Sequence, residues 1–116
     1  MEREPATGPE ELGRLVLERL NAGDVDGLVE LYEPDAVLAL PHGGVAKGQV
    51  EIRMVYERIT ADEPRFEPGV PLPVLRSGDL ALTGARLADG TVTVEVARRQ
   101  PDGTWRWAID QPNLLN

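Results

Sequence analysis

The spacing of apolar residues changes near residue 60, and that change limits the fold of this chain more than any other feature. Before it, apolar side chains recur at helical intervals: Leu12, Leu15, Val16 and Leu20; then Leu28, Leu31 and Tyr32; then Ile52, Val55, Tyr56 and Ile59. Residues so spaced share one helix face. After it, apolar and polar residues alternate, as in Thr91-Val92-Thr93-Val94-Glu95-Val96 and Trp105-Arg106-Trp107. That is the two-residue period of a strand. Helices gathered ahead of a run of strands give an α+β fold with an antiparallel sheet.

Local breakers set the expected boundaries. A first helix spans residues 9–20, with Pro9 in its first turn and Glu10 and Glu11 at its positive end. Asn21-Ala22-Gly23 stops it, and Asp24 is placed to cap a second helix that ends near Tyr32. Pro34-Asp35 breaks that helix. A short strand over 36–40, a loop over 41–48 and a third helix over 49–59 follow. Residues 65–75 are extended, but Pro68, Pro71 and Pro73 restrict them to an edge or a bulge. Strands over 80–88 and 91–100 are joined by Asp89-Gly90, a hairpin signal, and a last strand over 104–111 follows Pro101-Asp102-Gly103. Residues 1–8, polar with Pro5 and Gly8, are expected to be disordered, which leaves 9–116 as one domain.

Composition removes several function classes. Without cysteine there is no disulfide or thiolate metal site, and a single histidine rules out a multi-histidine metal site, so no metal is expected. A net charge of −8 opposes binding to nucleic acid. No apolar run approaches a membrane span and the N-terminus lacks a signal-like apolar stretch, so a cytoplasmic protein without membrane contact is expected. No glycine pattern for phosphate or dinucleotide binding occurs, and no cofactor is expected.

A two-residue turn at Asp89-Gly90 would set Arg86 opposite Thr93 and Gly84 opposite Glu95. Arg86, Thr93, Glu95 and Ala97 would then share one face of the sheet, and Val92, Val94 and Val96 the other. On the last strand Trp105, Trp107 and Ile109 form one set and Arg106, Ala108 and Asp110 the second. Two arrangements satisfy this alternation. Either the valine and tryptophan face packs on the helices and Arg86 with Glu95 is a surface pair, or the polar face lines a cavity and the apolar face meets a partner.

The stretches LNAGDVDGLVELYEPDAVLALP and KGQVEIRMVY, with the ending VARRQPDGTWRWAIDQPN, resemble the nuclear transport factor 2-like superfamily, in its ketosteroid isomerase-like and SnoaL-like branches. The resemblance runs from about Leu12 to Asn113. It implies a cone-shaped roll, also called cystatin-like, in which three N-terminal helices pack in a curved antiparallel sheet around a pocket. It further implies a homodimer formed by the outer face of the sheet. This favours the cavity arrangement, with Glu95 inward and Trp105 and Trp107 at the dimer interface.

Carried over residue by residue, the isomerase's base falls on Leu40 and its catalytic tyrosine on Val16, neither of which can move a proton. Its protonated aspartate falls on Glu95, and its supporting tyrosine on Tyr56. Steroid isomerisation by that route is therefore not expected. Asp110, inward by the same alignment and next to Glu95, supplies a second carboxylate, and two close or desolvated carboxylates hold at least one raised pKa suited to acid–base work. The bland role for Asp110 is to tether the Gln111-Pro112-Asn113 turn.

Glu95 and Asp110 are thus the candidate catalytic residues, and Tyr56, Arg86, Val16, Leu40 and His42 the candidate ligand-binding ones. Arg86, diagonal to Glu95, either orients a ligand or makes a structural ion pair with it. His42, beside Gly43-Gly44, either flanks the pocket mouth or is solvated. The expected function is a pocket protein for an apolar or cyclic small molecule, an isomerase, cyclase or lyase working by proton transfer. The alternatives are a non-catalytic binding or dimerisation domain, or water activation of the epoxide-hydrolase kind.

Overall fold

The computed structural model describes residues 3–115. A 3₁₀ turn (Pro9–Glu11) leads into α1 (Leu12–Ala22), followed by α2 (Val25–Val29), β1 (Tyr32–Ala39), β2 (Val45–Lys47) and α3 (Gly48–Thr60). Five strands follow: β3 (Val70–Pro71), β4 (Leu75–Ser77), β5 (Leu80–Arg86), β6 (Val92–Arg99) and β7 (Trp105–Leu115). They form a seven-stranded sheet in the order β2-β1-β7-β6-β5-β3, with β4 also paired to β5. The α+β class expected from the spacing is the class found. The sheet is antiparallel except where β7 returns beside β1 in parallel.

The helices behave as their end residues dictate. Asp24 caps α2, its Oδ1 accepting the Gly27 N–H at 3.1 Å. The same carboxylate takes a two-pronged contact from Arg3, at 2.7 and 2.8 Å. Replacing Asp24 by Ala is expected to lower stability by about 1–2 kcal/mol, read as a lower urea midpoint at unchanged slope. A wild-type midpoint would show that the cap is dispensable.

Two expectations about local structure are corrected. α2 is one short turn, and Tyr32 opens β1 instead of closing the helix. Pro34 is tolerated inside β1 because the pairing with β7 shifts register between Tyr32 and Val37, where no ladder bond from residue 34 is needed. The segment ahead of Pro9 is also engaged. Ala6 is buried and its carbonyl accepts the Trp105 N–H at 2.9 Å, while buried Arg19 holds the Glu4 and Gly27 carbonyls. Met1 and Glu2 of that expected disordered stretch, and Asn116, lie outside the described residues.

Two turns and one bulge decide which side chains face inward. At the first turn Leu87 N–H bonds Thr91 O and Gly90 N–H bonds Leu87 O, so the loop is Ala88-Asp89-Gly90, with Gly90 at φ +90°. A three-residue loop with a left-handed glycine is the other common hairpin solution for this sequence. The second turn, Pro101-Asp102-Gly103, has the same bonds and Gly103 at φ +87°.

The longer first loop slips β5 by one residue from the expected register. Thr83, not Gly84, faces Glu95, and Arg86 faces Val92. Because side chains alternate, this slip moves Arg86 to the outer face. On β7 the register changes between Trp107, opposite Ala97, and Ile109, opposite Val96. Ala108 is the extra residue of a β-bulge. Trp105 and Trp107 before it and Asp110 after it therefore share the inner face, and Ile109 turns outward, 52% exposed.

The core lies between this inner face and the helices. Leu12, Leu15, Leu28, Leu31, Tyr32, Ile52, Tyr56, Trp105 and Trp107 are all buried in one cluster. The tryptophans are thus core residues beneath the helices, not interface residues, which corrects the expected dimer face. The bulge is the physical reason, since it makes the indoles and Asp110 compatible with one side of the sheet.

Candidate active site

The inner faces of β5, β6, β7 and β1 bring Thr83, Glu95, Asp110 and Leu38 into one row. Glu95 and Asp110 are directly paired across β6 and β7, and both are buried, at 8% and 6% exposure. Among the described residues no Lys, Arg or His forms an ion pair with either. Two neighbouring carboxyls without a cation cannot both ionise cheaply in an apolar interior.

Hydroxyl groups hold the pair instead. Tyr32 donates to Asp110 Oδ2 at 2.5 Å. Its own oxygen lies 2.6 Å from the Tyr56 hydroxyl. With the Tyr32 proton directed to Asp110, Tyr56 is the donor in that contact. On the other side Thr83 donates to Glu95 Oε1 at 2.5 Å and accepts the Trp107 indole N–H at 3.3 Å. Two hydrogen-bonded runs thus end on the acids: Tyr56 to Tyr32 to Asp110, and Trp107 to Thr83 to Glu95.

The electrostatics follow from burial. Loss of water, reinforced by the Glu95 charge and opposed by the Tyr32 hydrogen bond, pushes the Asp110 carboxyl up to about 7. Burial also raises Glu95, against hydrogen bonds from Thr83 and Thr93. Tyr32 and Tyr56 are raised too, first by burial and then by the Asp110 charge, so both stay neutral donors. Near neutral pH a protonated acid beside an ionised one sets a donor and an acceptor on neighbouring strands.

The other candidates are placed as follows. Tyr56 joins the Asp110 run from α3. Val16 on α1 and Leu40 after β1 are partly buried against the core. His42 is exposed in the turn between β1 and β2. Arg86 is exposed on the outer face, so it neither pairs with Glu95 nor orients a ligand beside it, and no carboxylate–arginine–carboxylate set is assembled. Leu82 is 43% exposed on that outer face. Among the described residues no three acidic or histidine side chains gather to hold a metal ion.

Sequence reading missed Tyr32 and Thr83. By its spacing Tyr32 fits a helix stripe, and Thr83 comes opposite Glu95 only through the longer loop. Two recesses among the described residues, of about 190 and 80 Å³, lie away from the acids. The larger is an apolar groove on the outer face lined by Leu75, Leu80, Leu82 and Val96, and the smaller lies between Asn21 and Glu63. Among the described residues no helix is long and apolar enough to cross a membrane.

Residues 14–110 match the SnoaL-like domain family. No curated protein matches the chain. Solved structures share the fold. A ketosteroid isomerase-like protein from Erwinia carotovora atroseptica is 23% identical with a TM-score of 0.69, over 88% of this chain and 89% of that one. A Nostoc punctiforme protein of unknown function with a cystatin-like fold is 18% identical with a TM-score of 0.69, over 88% and 84%. A SnoaL-like protein of unknown function from Burkholderia thailandensis is 18% identical with a TM-score of 0.62, over 88% and 90%.

Proposed function

The chain belongs to the SnoaL-like domain family, and on that premise we propose that it moves protons on an apolar or cyclic small molecule, with Asp110 and Glu95 as the acid–base pair. The observation that carries this reading is the pair itself: two buried carboxyls, adjacent across β6 and β7, held by hydroxyl groups and, among the described residues, without a cation. Apolar residues at both positions would fill the core at lower cost. Strongly perturbed acids in a fold that hosts small-molecule chemistry are the residues to expect at a reacting centre.

The chemistry needs one carboxyl protonated and one ionised. The ionised group takes a proton from an acidic C–H bond, and the protonated group returns one elsewhere on the same skeleton. That exchange is an isomerisation; the same first step followed by ring closure or departure of a group makes a cyclase or lyase. Tyr32 and Tyr56 keep Asp110 oriented through the cycle. Both acids are buried beside the apolar core, which favours an apolar reactant.

The test is deuterium incorporation from D₂O into a set of apolar cyclic ketones, followed by NMR. Wild-type protein is expected to speed exchange of at least one ketone, and Asp110→Asn and Glu95→Gln to slow it by about 10²–10⁴-fold. Absence of exchange, with no ketone raising the melting temperature, would remove the catalytic reading.

A second reading, association of two copies, rests on a different face. Leu75, Leu82, Val96 and Ile109 stand in register across β4, β5, β6 and β7 on the outer side of the sheet. Leu75 is 70% exposed and Leu82 43%. An apolar row of this length suits a second copy laid across it by a two-fold axis. Sedimentation should show a dimer that Leu82→Glu converts to monomer. A wild-type monomer at high concentration, or a dimer indifferent to the charge, would remove this reading.

A further inference from the structure

We infer that residues 61–69, between α3 and β3, form a lid over the end of the fold nearest the two acids, fastened by Asn21, and that release of this latch admits the small molecule. The inference rests on the reading of Glu95 and Asp110 as the reacting pair and says by which route they are reached.

Burial stops at the level of the acids on four elements. On the inner face of β5, Ala81 and Thr83 are buried, and Ala85, the next residue on that face, is half-buried. On β6, Ala97 and Glu95 are buried and Thr93 is half-buried. On α1, Leu12 and Leu15 are buried, while Val16 and Leu20, toward its C-terminus, are only partly so. On α3, Tyr56 is buried, and Ile59, three residues on, is 40% exposed. The indoles and the aliphatic core fill one side of the acid row. The small side chains of Ala85 and Thr93 face the other, which is the less filled end.

Residues 61–69 cross that end. They leave α3 one turn beyond Tyr56, whose hydroxyl belongs to the Asp110 run. They arrive at β3, which pairs with Ala85 and Arg86, just beyond Thr83 on β5. Between residues 62 and 68 only Pro64 and Phe66 are half-buried, and the rest are exposed. Among the described residues none of Asp62, Glu63, Arg65 and Glu67 forms an ion pair. The side-chain hydrogen bonds that tie this segment to another element, among the described residues, come from Asn21 at the end of α1. Its amide donates to Phe66 O at 3.0 Å, and its Oδ1 accepts the Phe66 N–H at 2.8 Å. This is the two-point pairing that a neighbouring strand would supply.

The two ends of the segment differ. Glu63 has φ +50°, a left-handed conformation that favours glycine, so a change there relieves strain. The recess of about 80 Å³ lies between Leu20 and Gly23 on one side and Thr60 and Glu63 on the other, so this end is loosely packed. At the far end a Cβ on Gly69 would stand 2.8 Å from Leu87 Cδ2 and 3.1 Å from Arg86 O, so the closed segment seats directly on β5. An exposed segment with a strained, underpacked hinge and one polar latch opens at low cost, as lids do.

The chain has no cysteine, so one introduced thiol reports access to the inner face. Ala85→Cys places it at the covered end, and Ala97→Cys places it in the packed core. The probe is methyl methanethiosulfonate, which is small and apolar. In the Ala85→Cys protein, adding Asn21→Ala removes both bonds of the latch and is expected to speed labelling by about 10–100-fold. Adding Asn21→Asp, which keeps the acceptor and loses the donor, should give an intermediate rate. In the Ala97→Cys protein, Asn21→Ala should change labelling by no more than the shift of its urea midpoint accounts for. Should Ala85→Cys not fold, Thr93→Cys, close to threonine in size, carries the same probe. Labelling at the covered end that is indifferent to Asn21→Ala, or equal acceleration at residues 85 and 97 as from general loosening, would overturn the inference. The deuterium-exchange assay judges the catalytic reading separately: a latch that governs labelling in a protein that exchanges no ketone would leave the lid standing and the chemistry wrong.

Discussion

Asp110→Asn is expected to make the protein more stable at pH 8, by about 2–4 kcal/mol, where most substitutions of a buried residue destabilise. The reason is the cost of ionising Asp110 inside the fold. Its carboxyl, pushed up to about 7 by burial and by the charge of Glu95, releases its proton near pH 4 in the unfolded chain. Between those values the folded protein holds a proton that the unfolded chain has lost. Stability therefore falls as pH rises from about 4 to about 7 and is level above. At about 1.4 kcal/mol per unit, the whole fall amounts to about 4 kcal/mol. Asparagine never ionises. Its carbonyl oxygen can still accept from Tyr32, and its amide can donate toward Glu95, so the hydrogen-bond chain survives. Urea unfolding across pH checks this. The wild-type midpoint should decline from pH 5 to pH 8 while the variant's changes little, and the two curves should separate at high pH. A variant that is less stable at pH 8 and keeps the wild-type slope would show that Asp110 is not the strained group.

That prediction also bears on why an acid stands there. A protein selected for stability alone would accept the asparagine. Retaining a carboxyl that costs several kcal/mol when ionised is the pattern of a residue kept for its proton, which is why stabilisation by Asp110→Asn should come together with loss of exchange activity.

The path from sequence to this site was legible in parts, and the parts differ in kind. Helical spacing gave α1 and α3, and the alternation of Val92, Val94 and Val96 gave β6, because each is a local consequence of burying one face. Asp24 as a cap is equally local. Strand register is not. Asp89-Gly90 suits a two-residue or a three-residue loop, and the difference is one residue that moves Arg86 from the site to the outer surface. The bulge at Ala108 left no signal in the alternating pattern of β7, which as written puts the indoles and Asp110 on opposite faces. It forms because Trp105 and Trp107 need the core, while Asp110 finds its hydroxyl partner there too. Tyr32 was hidden for a related reason: with Leu28 and Leu31 it fits a helix stripe, and only the parallel pairing of β1 with β7 turns it toward Asp110. Glu95 was read inward from the family resemblance, since a glutamate among valines is equally consistent with a solvent-facing side.

Tyr32→Phe is expected to cost about 3 kcal/mol, and to cost more at pH 8 than at pH 5. Removing this one hydroxyl leaves Asp110 Oδ2 without a donor and Tyr56 without an acceptor, both inside the core. The ring itself, 5.6 Å from Trp107 and 6.0 Å from Tyr56, keeps its packing, so the loss is polar and not a cavity. Above pH 7 the missing donor served a carboxylate, and hydrogen bonds to charged groups are the stronger ones. The same loss should move the Asp110 carboxyl further up, since the Tyr32 hydrogen bond is what restrains it. Tyr56→Phe alone should cost only about 1 kcal/mol, because Tyr32 still donates to Asp110. In the double variant the Tyr56 hydroxyl is no longer stranded, so its cost should not exceed that of Tyr32→Phe, a coupling of about 1–2 kcal/mol by double-mutant cycle. Costs that simply add, with no dependence on pH, would mean that the two tyrosines fill space near Asp110 without forming a chain that governs its proton.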